Sequence, residues 1–98
     1  MAYDKYRSAT EIADVDGSND TTVTADHDAL WVGENNKVTG NSGSAGDLKC
    51  TLAKDTTAVT FKGISDGTLL PIEVKSIEGT VTRCGDIVAL ESGERWST

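Results

Sequence analysis

The chain has one histidine, His27, and it stands between two carboxylates, Asp26 and Asp28. An imidazole beside a carboxylate is the arrangement of a general base and the group that orients it. Successive residues of an extended chain point to opposite faces, however, so neither aspartate is well placed to orient the ring. The sequence therefore favours a surface histidine in an acidic turn, and we do not expect it to be catalytic.

The segment from Asp14 to Asp20 offers several oxygen ligands on a short loop that contains glycine, which suggests calcium. The EF-hand pattern fails, because its glycine position is occupied by Asn19 and its bidentate glutamate position by Ala25. A calcium loop of another kind stays open. The abundance of turn-forming residues favours a solvated turn in which an aspartate side chain bonds to the backbone.

The two cysteines, Cys50 and Cys84, are too few for the disulfide framework of a small secreted domain. They could form a bridge only if the fold brought their Cα atoms within about 7 Å. Together with His27 they lack the spacings typical of zinc ligands. Cys50 alternates with Leu48 and Leu52, so we predict a buried packing residue. The sequence also lacks a phosphate-binding glycine loop and a serine-nucleophile motif. We therefore expect no enzyme, no catalytic residue, no cofactor and no metal.

Two tryptophans, Trp31 and Trp96, could stack on sugar rings, as in a carbohydrate-binding module. An aromatic content of 5% is low for such a platform. Trp31 could instead pack on a neighbouring subunit or beneath the N-terminal segment, with Trp96 in a loose tail. A monomeric β-sandwich that binds a carbohydrate or a surface stays open as the alternative function.

The length and the charge of the chain limit the number of domains and the kinds of partner that it can have. The chain has 98 residues, enough for one domain spanning residues 1–98. A net charge of −7 argues against nucleic acid as a partner, because phosphate contacts need a basic face. No apolar run approaches the roughly 20 residues of a membrane-spanning helix, and no signal-peptide stretch occurs. We expect a protein made in the cytoplasm with no membrane partner.

Apolar and polar residues alternate from Thr22 onward, which predicts strands with one buried face. The residues predicted to point inward are Leu30, Val32, Leu48, Cys50, Leu52, Val59, Phe61, Leu70, Ile72, Val74, Val88 and Leu90. The opposite face of the last strand, Ile87 and Ala89, is also apolar, which favours a central position in a sheet. The pattern predicts an all-β fold, a small antiparallel β-sandwich of the jelly-roll type. We assign residues 1–21 to an extended N-terminal arm, residues 22–91 to the sandwich and residues 92–98 to a tail.

Two features interrupt the alternation. Pro71 cannot donate to a strand ladder, so its strand must be at an edge or bulged there. Residues 34–46 form a long polar loop, and loops of this length are usually mobile or functional. The inward-pointing side chains form a thin core for a chain of this size, and self-association would add buried surface.

Three stretches, read together, resemble the spike base proteins of tailed phages and phage-like gene transfer agents. They are residues 29–33 (ALWVG), 59–75 (VTFKGISDGTLLPIEVK) and 86–90 (DIVAL). Gly67 to Pro71 (GTLLP) is the most distinctive match, and Gly46-Asp47-Leu48 matches the start of the preceding strand. The resemblance extends over residues 22–91. The chain departs from the family in a longer loop at 34–46 and in a different run at 78–85.

The resemblance implies a structural virion protein, a decoration or cement protein on the outer surface of the capsid. Such proteins sit at fivefold vertices as a ring of identical subunits, so the implied oligomer is a pentamer. The implied partners are the major capsid protein below and a head fibre protein above. We expect the interface to use apolar residues on otherwise polar faces, namely Trp31, Leu69 and Pro71.

Overall fold

The computed structural model of the chain describes residues 6–12 and 15–92. These residues contain strands and no helix, as the alternating pattern predicts. The strands are β1 (Tyr6–Ile12), β2 (Thr21–Thr22), β3 (Ala29–Glu34), β4 (Leu48–Leu52), β5 (Val59–Phe61), β6 (Thr68–Leu70), β7 (Val74–Ile77) and β8 (Gly85–Ser92).

The strands form two antiparallel four-stranded sheets, which makes the fold a small β-sandwich. The first sheet has the order β1-β8-β3-β6 and the second the order β2-β7-β4-β5. Strand β8 therefore lies at the centre of the first sheet, as its two apolar faces predict. Almost every neighbour in a sheet is distant in the chain, so the sandwich depends on long-range pairing.

The core lies between the sheets and is built from alternate residues of the central strands. The side chains of Leu30, Val32, Leu48 and Cys50 are fully buried, which confirms the predicted inward faces of β3 and β4. The predicted face of β8 is wrong. Its inward residues are Ile87 and Ala89, because their cross-strand partners on β3 are the inward-pointing Val32 and Leu30.

The prediction of one strand through Leu70 and Val74 is wrong, because the chain changes sheets between them. Strand β6 ends at Leu70 in the first sheet, and β7 begins at Val74 in the second. The amide of Ile72 donates to the carbonyl oxygen of Leu70 at 2.8 Å, a three-residue turn centred on Pro71. The fixed φ of proline suits that turn. Pro71 thus ends an edge strand.

The assigned N-terminal arm, residues 1–21, contains a strand of the sandwich. Within it, Tyr6–Ile12 pairs with β8 along the edge of the first sheet. The second sheet has an edge of its own at β5, where Val59 shares the inward face of its partner Cys50, as predicted, and is still 46% exposed. Of the predicted tail, residues 92–98, the structure describes only Ser92, the last residue of β8. Trp96 lies outside the described residues.

The loop at 34–46 is hydrogen-bonded along its length to residues 78–85. The amides of Val38 and Ser42 donate to the carbonyl oxygens of Arg83 and Thr80, at 2.9 and 3.0 Å. The Arg83 guanidinium returns a bond of 2.7 Å to the carbonyl oxygen of Gly43. The two stretches that depart from the spike base pattern are therefore partners of each other. A longer loop on one side is matched by a changed surface on the other.

Candidate interaction face

Trp31 and Leu69 are directly opposite each other on β3 and β6, and both point away from the core. Their side chains are 41% and 42% exposed, so the sheet displays two large hydrophobic side chains in contact distance. On the other side of Trp31, the partner residue on β8 is Val88, which is half-buried. Three adjacent strands thus contribute one apolar residue each to a single row.

The row continues at the next outward position of β8. Leu90 lies opposite Ala29 on β3 and Ala9 on β1. We refer to the outward side chains of Trp31, Leu69, Val88 and Leu90 as the Trp31 face. Because alternate residues of a strand share a face, this surface follows directly from the register of the first sheet.

Two glycines, Gly33 and Gly67, lie beside the Trp31 indole. A side chain at Gly67 would come within 3.6 Å of the indole ring, and one at Gly33 within 3.8 Å of its Nε1. Neither glycine has a side chain that could cover the ring. The indole therefore stays accessible to a partner, which is the condition for an aromatic anchor at an interface.

The outer face of the second sheet is chemically different. Its outward residues lie on the opposite side of the strands from Cys50 and Ile77, and they are polar: Thr22, Lys49, Thr51, Thr60 and Ser76. The two outer faces of the sandwich are therefore unequal. Only the first sheet turns an apolar row to the outside within the described residues.

The three predicted interface residues are partly brought together. Trp31 and Leu69 are cross-strand partners, whereas Pro71 is exposed in the connection after β6. The prediction missed Val88 and Leu90, since it assigned them to the core. The available signal was that both faces of β8 are apolar, which allows either face to point inward.

Charged groups surround the Trp31 face. Glu11 lies opposite Val88 at the β1 side and is exposed. Near Gly33, the carboxylate of Asp86 is 3.3 Å from the Lys37 ammonium, and both side chains are about half exposed. An exposed pair of this kind stabilises the fold by about 0–1 kcal/mol. Its effect is rather to give the apolar row a polar margin, as protein interfaces have.

The prediction of a surface position for His27 is wrong. The ring is 4% exposed, and its Nε2 accepts a hydrogen bond of 2.9 Å from the amide of Val74. Its Nδ1 lies 2.7 Å from the carbonyl oxygen of Ala25, so the proton is on Nδ1. Both ring nitrogens are occupied by backbone groups. His27 holds the chain in place and has no nitrogen directed at solvent.

The aspartate-rich loop forms the turn that the sequence favours. The Asp16 Oδ1 accepts the amides of Ser18 and Asn19, each at 3.0 Å. These bonds lower the pKa of the Asp16 carboxyl group, because they favour its ionised form. Asp14, the first residue of the candidate calcium loop, lies outside the described residues.

Cys50 and Cys84 are free thiols and fully buried, which confirms the packing role predicted for Cys50. Burial raises the pKa of each thiol to about 11, because the thiolate would be desolvated. Across residues 6–12 and 15–92, no group of three or more His, Cys, Asp or Glu side chains is arranged to hold a metal ion.

Protein families, curated proteins and solved structures were searched, and none matches this chain. The part of the chain that the structure describes also has no helix that could span a membrane.

Proposed function

We propose that this chain is a structural virion protein, a decoration protein on the outer surface of a phage or phage-like head. The observation that carries this proposal is the Trp31 face, an apolar row across three strands of one sheet. Scattered exposed hydrophobic residues are ordinary, whereas a contiguous apolar patch marks an interaction surface. The resemblance to spike base proteins supports the choice of partner: other copies of the chain and the major capsid protein.

The proposed mechanism is stabilisation by selective binding. A protein that binds across the seams between capsid subunits stabilises the assembled shell and leaves the free subunits unaffected. A ring of five copies at a fivefold vertex would repeat each contact, so a modest contact per copy gives a firm attachment. Trp31 is the proposed anchor of the subunit contacts, with Leu69 and Pro71 beside it. A head fibre protein is a further proposed partner of the ring.

The direct test is to purify phage or phage-like heads from the organism that encodes the chain. We expect mass spectrometry to find the chain in these heads at a few copies per vertex. Heads that lack the chain should break at a lower temperature, and adding the purified protein should restore their thermal stability. Heads that contain none of the chain, and that do not bind it when it is added, would refute the proposal.

Variants of the exposed apolar residues make the test specific. Trp31→Ser combined with Leu69→Ser should reduce binding to heads and shift the size-exclusion peak from a ring to a smaller species. Val59→Ser is the matched control, because Val59 is equally exposed but lies on the edge of the other sheet. Equal loss of binding in both variants would point away from the Trp31 face.

A second candidate function is carbohydrate binding, favoured by the accessible indole between Gly33 and Gly67. Sugar rings stack on aromatic rings, so this function predicts binding on a glycan array by a monomeric protein. Trp31→Phe should retain part of that binding and Trp31→Ala should lose it. Binding to heads without binding to any glycan would favour the decoration protein.

A further inference from the structure

One edge of the sandwich is long: strand β1 pairs with β8 in a regular register from Ser8 to Ile12, with a register shift at Arg7. Strand β1 has seven residues, whereas the other edge strands, β2, β5 and β6, have two or three. Strand β6 is further blocked by Pro71 immediately after it. Strand β1 contains no proline, and five of its residues, 7–11, are exposed. An unpaired strand of this length is a template for another strand.

The hydrogen-bond pattern identifies which groups of β1 point outward. The carbonyl oxygen of Leu90 accepts a bond from Asp28 on the β3 side, so the residues on either side of Leu90 direct their backbone groups towards β1. Their partners on β1 are Thr10 and Ser8. The amides and carbonyls of the alternate residues, Ala9 and Glu11, are therefore directed away from the sheet.

The side chains of β1 are complementary to a second copy of β1. In an antiparallel pair centred on Ala9, Arg7 of each copy lies opposite Glu11 of the other, and Ser8 lies opposite Thr10. The smallest side chain, Ala9, meets itself at the centre. The Arg7 side chain is 66% exposed, and its Nε lies 3.8 Å from the Glu91 carboxylate of its own chain. The guanidinium has five N–H donors, so others can bond to a second carboxylate.

We propose that two copies of this chain associate through antiparallel pairing of their β1 strands, with Arg7 of each copy facing Glu11 of the other. The pairing joins the two first sheets into one eight-stranded sheet. The two-fold axis of such a pair is perpendicular to the sheet, so the Trp31 faces of both copies point to the same side. The partner is a second copy because the charges on β1 are complementary to those of an identical strand.

Charge reversal provides the test, because Arg7 and Glu11 are exposed and can change sign without loss of the fold. By analytical ultracentrifugation, Arg7→Glu and Glu11→Arg should each weaken dimerisation by about tenfold or more, since each creates two like-charge contacts. The double variant should dimerise like the wild type. A mixture of the two single variants should form a heterodimer that neither forms alone.

Lys54→Glu is the matched control, because it makes the same charge change as Arg7→Glu at an exposed position outside every strand. It should leave dimerisation unchanged, and circular dichroism should show that all variants are folded. A wild-type chain that stays monomeric at millimolar concentration would overturn the proposal. A dimer that is insensitive to both reversals, or that binds only a foreign strand, would overturn it too.

This interface needs no capsid and leaves the Trp31 face uncovered. If the Trp31→Ser, Leu69→Ser variant loses head binding but keeps the dimer, the β1 interface is independent of the surface that binds heads. Loss of the dimer in the Arg7→Glu variant with intact head binding would show the same independence in the opposite direction.

Discussion

His27 and Val74 are 47 residues apart and share a buried hydrogen bond. His27 lies in the segment that leads into β3 of the first sheet, and Val74 begins β7 of the second. The imidazole thus links the segment before β3 in the first sheet to the first residue of β7 in the second sheet. With Nδ1 bonded to Ala25, the ring bridges the carbonyl oxygen of Ala25 and the amide of Val74.

His27→Ala should therefore destabilise the protein. It leaves the Val74 amide buried without an acceptor, which costs about 1–3 kcal/mol. Urea unfolding should show the loss as a lower midpoint with an unchanged slope. The neighbouring Asp26 is exposed, so Asp26→Ala is the control and should have little effect. Equal stability of His27→Ala and the wild type would show that the bond contributes nothing.

The buried thiols predict a loss of stability in alkaline solution. Cys50 and Cys84 remain protonated in the folded chain up to about pH 11, whereas in the unfolded chain they ionise near pH 9. Their contribution to stability is therefore complete below pH 9 and decreases between pH 9 and 11. Urea midpoints measured at pH 8 and pH 10.5 should differ less in a Cys50→Ala, Cys84→Ala variant. The same burial should prevent a thiol reagent from labelling the folded wild type at pH 8.

The Asp16 turn should respond to acid in the opposite sense. The pKa of the Asp16 carboxyl group is below the ordinary 3.8. The bonds to Ser18 and Asn19 are therefore complete above pH 3.8 and are lost as the pH falls through the lowered pKa. The amide chemical shifts of these two residues should report the titration. In Asp16→Asn the turn should persist and the pH dependence should disappear. A midpoint at or above 3.8 would contradict the geometry.

Gly43 allows a close contact between the 34–46 loop and the connection between β7 and β8, at Val81. A Cβ atom at this position would overlap the carbonyl group of Val81. Gly43→Ala should cost about 1–3 kcal/mol, because the loop must move away from its partner. Ala45→Ser, in the same loop at an exposed position, should leave thermal unfolding unchanged. A stable Gly43→Ala variant would mean that the loop does not need this contact.

Much of the fold could be predicted from the sequence because period-two alternation is a local property. It placed Leu30 and Val32 in the core and Trp31 outside, as the structure confirms. It could not choose the inward face of β8, where Ile87 and Val88 are equally apolar. That choice is made by pairing with β3, which is 50 or more residues away in the chain.

The candidate site could be predicted only in part for the same reason. Trp31 is recognisable as an apolar residue on a polar face, whereas its adjacency to Leu69 and Val88 depends on the strand order. His27 gave no signal, because its acceptor role depends on Val74 in another sheet. Residue type indicates what a side chain can do, and only the topology determines what it meets.

The position of β8 has a consequence for synthesis on the ribosome. Both β1 and β3 pair with β8, so two of the three strand pairings in the first sheet wait for the last of the described strands to be made. Until residues 85–92 leave the exit tunnel, β1 has no native neighbour among the described strands. We expect completion of the first sheet to be a late, post-translational step, and chains shortened before residue 85 to be captured by chaperones.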